Sequence, residues 1–227
     1  MPSGRKAPGL GNHKENNMTD RSKDHSHQDD GAPSFSEEEL FRAHFYALLS
    51  RLLGAPLDAD FLKTLATFKG DDSEMGTALR ALGEKAKAVS LDDAVDEYTR
   101  LFYGHGAGGE MIPYASYYLT GFVYEKPLSQ LRDTLNELGI AQVEGVGEPE
   151  DHISFVLEIM HGLISGDLGG QRDLIQQKKF FNDHVAPWAS RFFEDLEQAE
   201  NADLYRPVGT IGRILLAVEV EAFDMAA

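Results

Sequence analysis

A chain of 227 residues with 42% apolar side chains can bury a sizeable core, as one domain or as two closely joined halves. The absence of cysteine excludes disulfides, thiolate zinc sites and iron–sulfur clusters held by this chain. The net charge of −17 lies wholly beyond residue 35, because residues 1–35 carry five acidic and five basic groups. Such a surface repels nucleic-acid phosphates and favours basic partners.

Residues 1–35 hold few large apolar side chains and cannot offset the entropy of ordering, so we expect a disordered polar tail. His13, His25 and His27 fall within it and are expected to be exposed to solvent. Order is expected from Ser36, which with Glu39 spells a capping box. Leu40, Phe41, His44, Phe45, Leu48, Leu49 and Leu52 then form a broad apolar face, ended by Gly54 and Pro56. Asp58 or Asp60 starts a second helix, and a third runs from about Ser73 to Ala88. Ser90 caps a fourth, whose inner face reads Leu91, Ala94, Val95, Tyr98, Leu101 and Phe102.

A glycine-rich stretch, Gly104 to Glu110, predicts a mobile loop and lacks the Lys-Ser/Thr ending of a phosphate-binding loop. Pro113 and three tyrosines within five residues (Tyr114, Tyr117, Tyr118) follow, either as packed rings with hydroxyls at the rim or as a peptide-binding wall. Pro127 opens a helix stopped by Gly139. Residues 139–147 read as a hinge between an N-terminal half (36–138) and a C-terminal half (148–227).

Pro149 suits the first position of the next helix, with Glu150 and Asp151 in its first turn and His152 at the fourth position. Ile153, Val156, Leu157, Met160 and Ile164 should face a core. Leu174, Ile175, Phe180, Phe181 and Val185 mark a further helix; Pro187-Trp188 and Pro207 open the last two. Ile211, Ile214, Leu215 and Val218 are expected to be buried in the last. No sustained strand alternation occurs. The expected fold is all-α, a compact bundle of nine or ten helices in two closely packed halves joined by a glycine-rich hinge.

Catalytic readings find little support. His152 and His161 are nine apart, on different faces of one helix, so a metal centre would need Glu148, Asp151 and Glu158 beside His152. Asp151 and His152 are neighbours in sequence and do not face each other on a helix. No nucleophile-elbow motif places a serine. His152 reads either as a neutral donor–acceptor aimed at a bound backbone or as a capping-region side chain. The chain is not expected to be an enzyme or to carry a cofactor. No run approaches the eighteen apolar residues of a membrane span, and no secretory segment or Arg-Arg pair is present. We expect a cytoplasmic protein without membrane insertion.

Four segments resemble one family. Tyr98-Thr99-Arg100-Leu101-Phe102 is similar to an aromatic-x-x-Leu-Phe segment, and Pro113-Tyr114-Ala115-Ser116-Tyr117 to a Pro-aromatic-x-Ser-aromatic segment. Glu148-Pro149-Glu150-Asp151-His152 resembles a Glu-Pro-x-Asp-His segment, and Phe181 to Trp188, followed by Phe192 and Asp195-Leu196, resembles the same family's C-terminal half. Taken in this order, they resemble the segments of the TorD/DmsD/NarJ family of redox-enzyme maturation chaperones. The resemblance implies an all-helical chaperone that binds the twin-arginine signal peptide, or another segment, of a molybdoenzyme catalytic subunit before its export or assembly. It implies peptide-binding residues at Tyr98, Leu101, Phe102, Pro113, Tyr114, Ser116, Tyr117, Glu148, Pro149, Asp151 and His152. It also implies a homodimer formed by exchange of halves. The rival readings are a nucleotide- or metal-dependent enzyme using the Asp151-His152 region, and a helical scaffold that binds no peptide.

Overall fold

The computed structural model describes residues 36–104, 108–141 and 147–225. The expected tail with its three histidines, the centre of the glycine loop (105–107) and most of the expected hinge (142–146) lie outside the described residues. Ten α-helices follow in order: α1 (Glu37–Gly54), α2 (Ala59–Leu65), α3 (Glu74–Ala88), α4 (Leu91–Tyr98), α5 (Ala115–Thr120), α6 (Lys126–Leu138), α7 (Ile153–Ser165), α8 (Leu174–Phe180), α9 (Ala189–Gln198) and α10 (Arg206–Met225). Two π-helical turns, Thr99–Tyr103 and Phe181–Val185, continue α4 and α8. Among the described residues the fold is all-α, and the extended pairing is confined to an isolated bridge between Tyr114 and His152.

The helix starts follow from local chemistry. Ser36 and Glu39 form the reciprocal capping box, and the side chains of Asp58, Ser73, Ser90 and Asp173 each accept a backbone N–H at the head of α2, α3, α4 and α8. Each cap satisfies donors that no intrahelical carbonyl can reach.

The core is built where α1 packs along α7, and α10 along α9 and α3. Leu49, Leu52 and Leu53 of α1 and Ile153, Leu157 and Met160 of α7 are wholly buried. Gly209 and Gly212 permit the close approach of α10 to α9. A Cβ on Gly209 would lie 2.6 Å from Glu197 N, and one on Gly212 would lie 2.2 Å from the Phe193 ring.

Three expectations are corrected. Leu40, Phe41 and His44, expected on the inner face of α1, face solvent, while Phe45, Leu49 and Leu52 are buried as expected and Arg42, Ala43 and Tyr46 join them. The cause is distant: Arg42 forms a buried pair with Glu219 of α10, at 2.5 and 2.9 Å, and Tyr46 Oη donates to the same carboxylate at 2.9 Å. Glu219 is accordingly wholly buried while Val218, expected inside, is exposed. Leu174 and Ile175, at the start of α8, are exposed. Lastly, α7 begins at Ile153 rather than Pro149, because His152 takes extended dihedrals (φ −64°, ψ 138°) to pair with Tyr114.

No helix among the described residues is long and apolar enough to cross a membrane.

Candidate functional site

The segment 148–152 forms a structural junction. Ala115 N–H donates to Asp151 O at 2.9 Å and Ile153 N–H to Pro113 O at 2.8 Å, on either side of the Tyr114–His152 bridge. The short helix α5 has no side-chain cap of its own. Asp151, wholly buried, supplies one from outside: its Oδ2 accepts Ser116 N–H at 2.8 Å. A carboxylate there also suits the positive end of the helix. Its second oxygen, Oδ1, and the Ser116 hydroxyl are buried without a hydrogen-bond partner.

His152 is the N-cap of α7. Its Nδ1 accepts Ser154 N–H at 3.2 Å and lies 2.7 Å from Ser154 Oγ, so the proton of the neutral ring sits on Nε2. Burial pushes its pKa down to about 4, against the opposing pull of Glu148 and Asp151. Its ring meets Tyr114 edge-on at 5.2 Å. The Tyr114 hydroxyl donates to Glu148, and burial together with that carboxylate raises the phenol's pKa. Glu150 is taken by Arg132 of α6 in a two-pronged pair at 3.0 and 2.7 Å.

The other expected residues divide by burial. Tyr98 is buried, donates to Leu53 O at 3.0 Å, and stacks with Phe102, Tyr103 and Tyr205. Leu101, Pro113, Ser116 and Pro149 are also buried; Phe102, Tyr114 and Glu148 are half-buried, and Tyr117 is 38% exposed. The three sequence segments therefore meet, and at the junction itself they meet largely through backbone and buried side chains.

Two concavities flank this junction. One, of about 610 Å³, lies against the end of α1 and is lined by Arg51, Gly54, Glu148, Pro149, His152 and Phe155, among others. The second, of about 470 Å³, lies between α5, α6 and the second π-turn, with Asp151 in its wall. Sequence reasoning missed two groups beside them. Asn182, Asp183 and His184 enter the second cavity because the π-turn presents three consecutive residues there. The loop after α5 leaves Phe122 and Tyr124 each 70% exposed, and its signal in the sequence was a run of apolar residues without helical spacing.

Among the described residues, no three His, Asp or Glu side chains converge as a metal-ion cluster. An all-helical bundle with a buried, hydrogen-bonded motif junction and open concavities beside it, each with two carboxylate side chains in its wall, belongs to a binding class. The family described as nitrate reductase delta subunit matches residues 69–194, and the chain belongs to it. It is 28% identical over 208 residues to the chaperone protein TorD of Aliivibrio fischeri, covering 83% of this chain and 95% of that one. It is 28% identical over 182 residues to a Haemophilus influenzae protein named as the Tat proofreading chaperone DmsD, covering 73% and 85%. The fold is similar to the crystal structure of an Archaeoglobus fulgidus chain described as a redox enzyme maturation protein. That match has a TM-score of 0.52 and 25% identity over 78% of this chain and 94% of that one. Its relatives place the protein with maturation chaperones rather than enzymes.

Proposed function

We propose that this protein is a cytoplasmic, system-specific chaperone that holds the twin-arginine leader of a molybdoenzyme catalytic subunit during maturation. The observation that carries this reading is the convergence of Tyr114 with Glu148 and His152, from two separate stretches of chain, beside an open concavity that Glu148 and His152 line. A leader joins a basic portion to an apolar one. Carboxylates can meet its guanidinium groups, and aromatic rings can bury its apolar part at about 25 cal/mol per Å². Tyr98, Leu101, Phe102, Pro113, Ser116, Pro149, Asp151 and His152 belong to this reading as the frame that holds the surface, and Tyr114, Tyr117 and Glu148 as its accessible edge. Residues 139–147 serve as the hinge between halves 36–138 and 148–227, through which two copies could exchange halves.

Calorimetric titration with a synthetic twin-arginine leader tests the reading. The wild-type chain is expected to bind it, and Tyr117→Ala with Glu148→Gln to weaken binding about fivefold. A wild-type chain that captures only a leaderless client, and never the peptide, would overturn the leader assignment.

A further inference from the structure

A third concavity, an open groove of about 450 Å³, lies between α1, the α2–α3 connection and α3. It shares no lining residue with the two beside the junction. Its floor is apolar: Phe45 is buried, and Leu48, Phe68 and Leu79 pack half-buried on the core. The exposed ring of Phe41 lies 4.5 Å from that of Phe45 and extends the apolar lane along the outer face of α1. Part of the stripe that periodicity assigns to the core of α1 thus borders a groove. Open apolar surface is unfavourably hydrated, so an apolar body gains free energy by covering it.

The polar groups on the wall are few: His44, Thr67 and Lys69. The Thr67 hydroxyl donates to Thr64 O at 2.7 Å. Most cations of the described chain are held, as Arg51 is by Asp58, Lys63 by Asp60 and Arg213 by Glu74. The acids next to Lys69 are engaged elsewhere: Asp71 accepts Ser73 N–H at 3.0 Å, and Asp72 faces Arg80 at 3.8 Å. Among the described residues Lys69 therefore forms no ion pair, and it stands exposed at the end of an apolar floor.

Size and charge select the occupant. The volume falls in the range of roughly 300–1,000 Å³ typical of small-molecule sites, where an apolar lining carries a few orienting polar groups. A stable protein contact draws on about 20–30 residues a side, far more than this groove offers. The net charge of −17 repels an acidic protein surface strongly and a monoanion least. An apolar floor ending at an unpaired ammonium suits an apolar chain that ends in a carboxylate. We propose that this groove binds a free medium-chain fatty acid, its chain along Phe45, Phe68 and Leu79 and its carboxylate on Lys69. The site is separate from the leader surface and stands or falls without it.

Calorimetric titration of the full chain with decanoate, octanoate and decanol, each below its aggregation concentration, tests the assignment. Decanoate is expected to bind about fourfold or more tightly than octanoate, because its longer chain covers more of the floor. Lys69→Gln should weaken decanoate about fivefold, the scale of an exposed ion pair, and leave decanol unchanged. Leu79→Ala should weaken both ligands alike, by about threefold or more. Thermal unfolding checks that each variant folds. Nuclear Overhauser contacts from the decanoate chain to Phe68 and Leu79 locate the ligand in the wild-type chain, whether or not Leu79→Ala folds. Absence of decanoate binding overturns the site, as do equal affinities for octanoate and decanoate or contacts to other residues. So does a Lys69→Gln variant that keeps wild-type affinity for decanoate or loses decanol equally. Displacement of decanoate by a tighter-binding leucine–glutamate helical peptide also overturns it and assigns the groove to a protein segment.

Discussion

Among single residues, His152 pays for its position in protonation. A ring 7% exposed, already accepting Ser154 N–H, loses solvation and a hydrogen bond on taking a proton, which is why its pKa falls to about 4. A folded-state pKa below the unfolded value of about 6.5 means the unfolded chain protonates first as pH drops. The contribution of His152 to stability is therefore complete above about pH 6.5 and is lost as pH falls towards 4, by roughly 3 kcal/mol at most. His184, also shifted down by burial, acts in the same direction. His152→Asn keeps an N-cap side chain without a titrating group, so its urea midpoint should fall less steeply than wild type across that pH window. Parallel pH profiles would show that His152 is not the group. Asp151 differs: truncating it to alanine removes the cap of α5 and should cost about 1–2 kcal/mol, measurable by urea denaturation. Lost peptide affinity in Asp151→Ala thus conflates frame and contact, which the exposed Tyr117 does not. The sequence made the residue types at this site legible, but not their burial. Asp151 read as a first-turn acid because the strand-like bridge from His152 to Tyr114, 38 residues before it, leaves no local trace.

Individual helices show the same division between local and distant causes. Starts were readable because a cap is a four-residue event: Ser36, Asp58, Ser73 and Ser90 act as their spacing predicts. The rotation of α1 was not readable, since periodicity counts Leu40 and Phe41 as core and cannot see an ion-pair partner 177 residues away. That pair fixes how α1, α8 and α10 sit together. Arg42 donates to both Glu219 oxygens and, at 3.0 Å, to Gln177 of α8. Glu219→Gln leaves a buried guanidinium short of its counter-charge and should cost about 3 kcal/mol or more in urea denaturation. Arg42→Met with Glu219→Leu should recover only part of that loss, because Tyr46 Oη and Gln177 Oε1 then lose their partners. Full recovery would mean the pair, not the network, orients α1.

For the molecule as a whole, the most extensive helix contact crosses between residues 36–138 and 148–227: α1 lies along α7, and α10, besides packing on α9 of its own half, also lies along α3. A homodimer made by exchanging residues 148–227 would rebuild these contacts between copies at little cost in the folded state. It could form or separate only by first breaking them. The wholly buried leucines and isoleucines of α1 and α7 then make the barrier comparable to that of unfolding. The net charge of −17 opposes association of two intact surfaces but bears much less on an exchanged interface, where the rebuilt contacts are a buried apolar core and already matched ion pairs such as Arg42–Glu219 and Arg132–Glu150. Two expectations follow from one cause. A dimer separated by size exclusion should revert to monomer at the unfolding rate measured independently in denaturant, accelerating with urea in parallel with it. The reversion should also respond weakly to salt between about 0.05 and 0.5 M, a range over which a charged surface contact would be strongly screened. Rapid re-equilibration within minutes, or a dimer fraction that tracks ionic strength, would identify a surface contact and rule out exchange through residues 139–147.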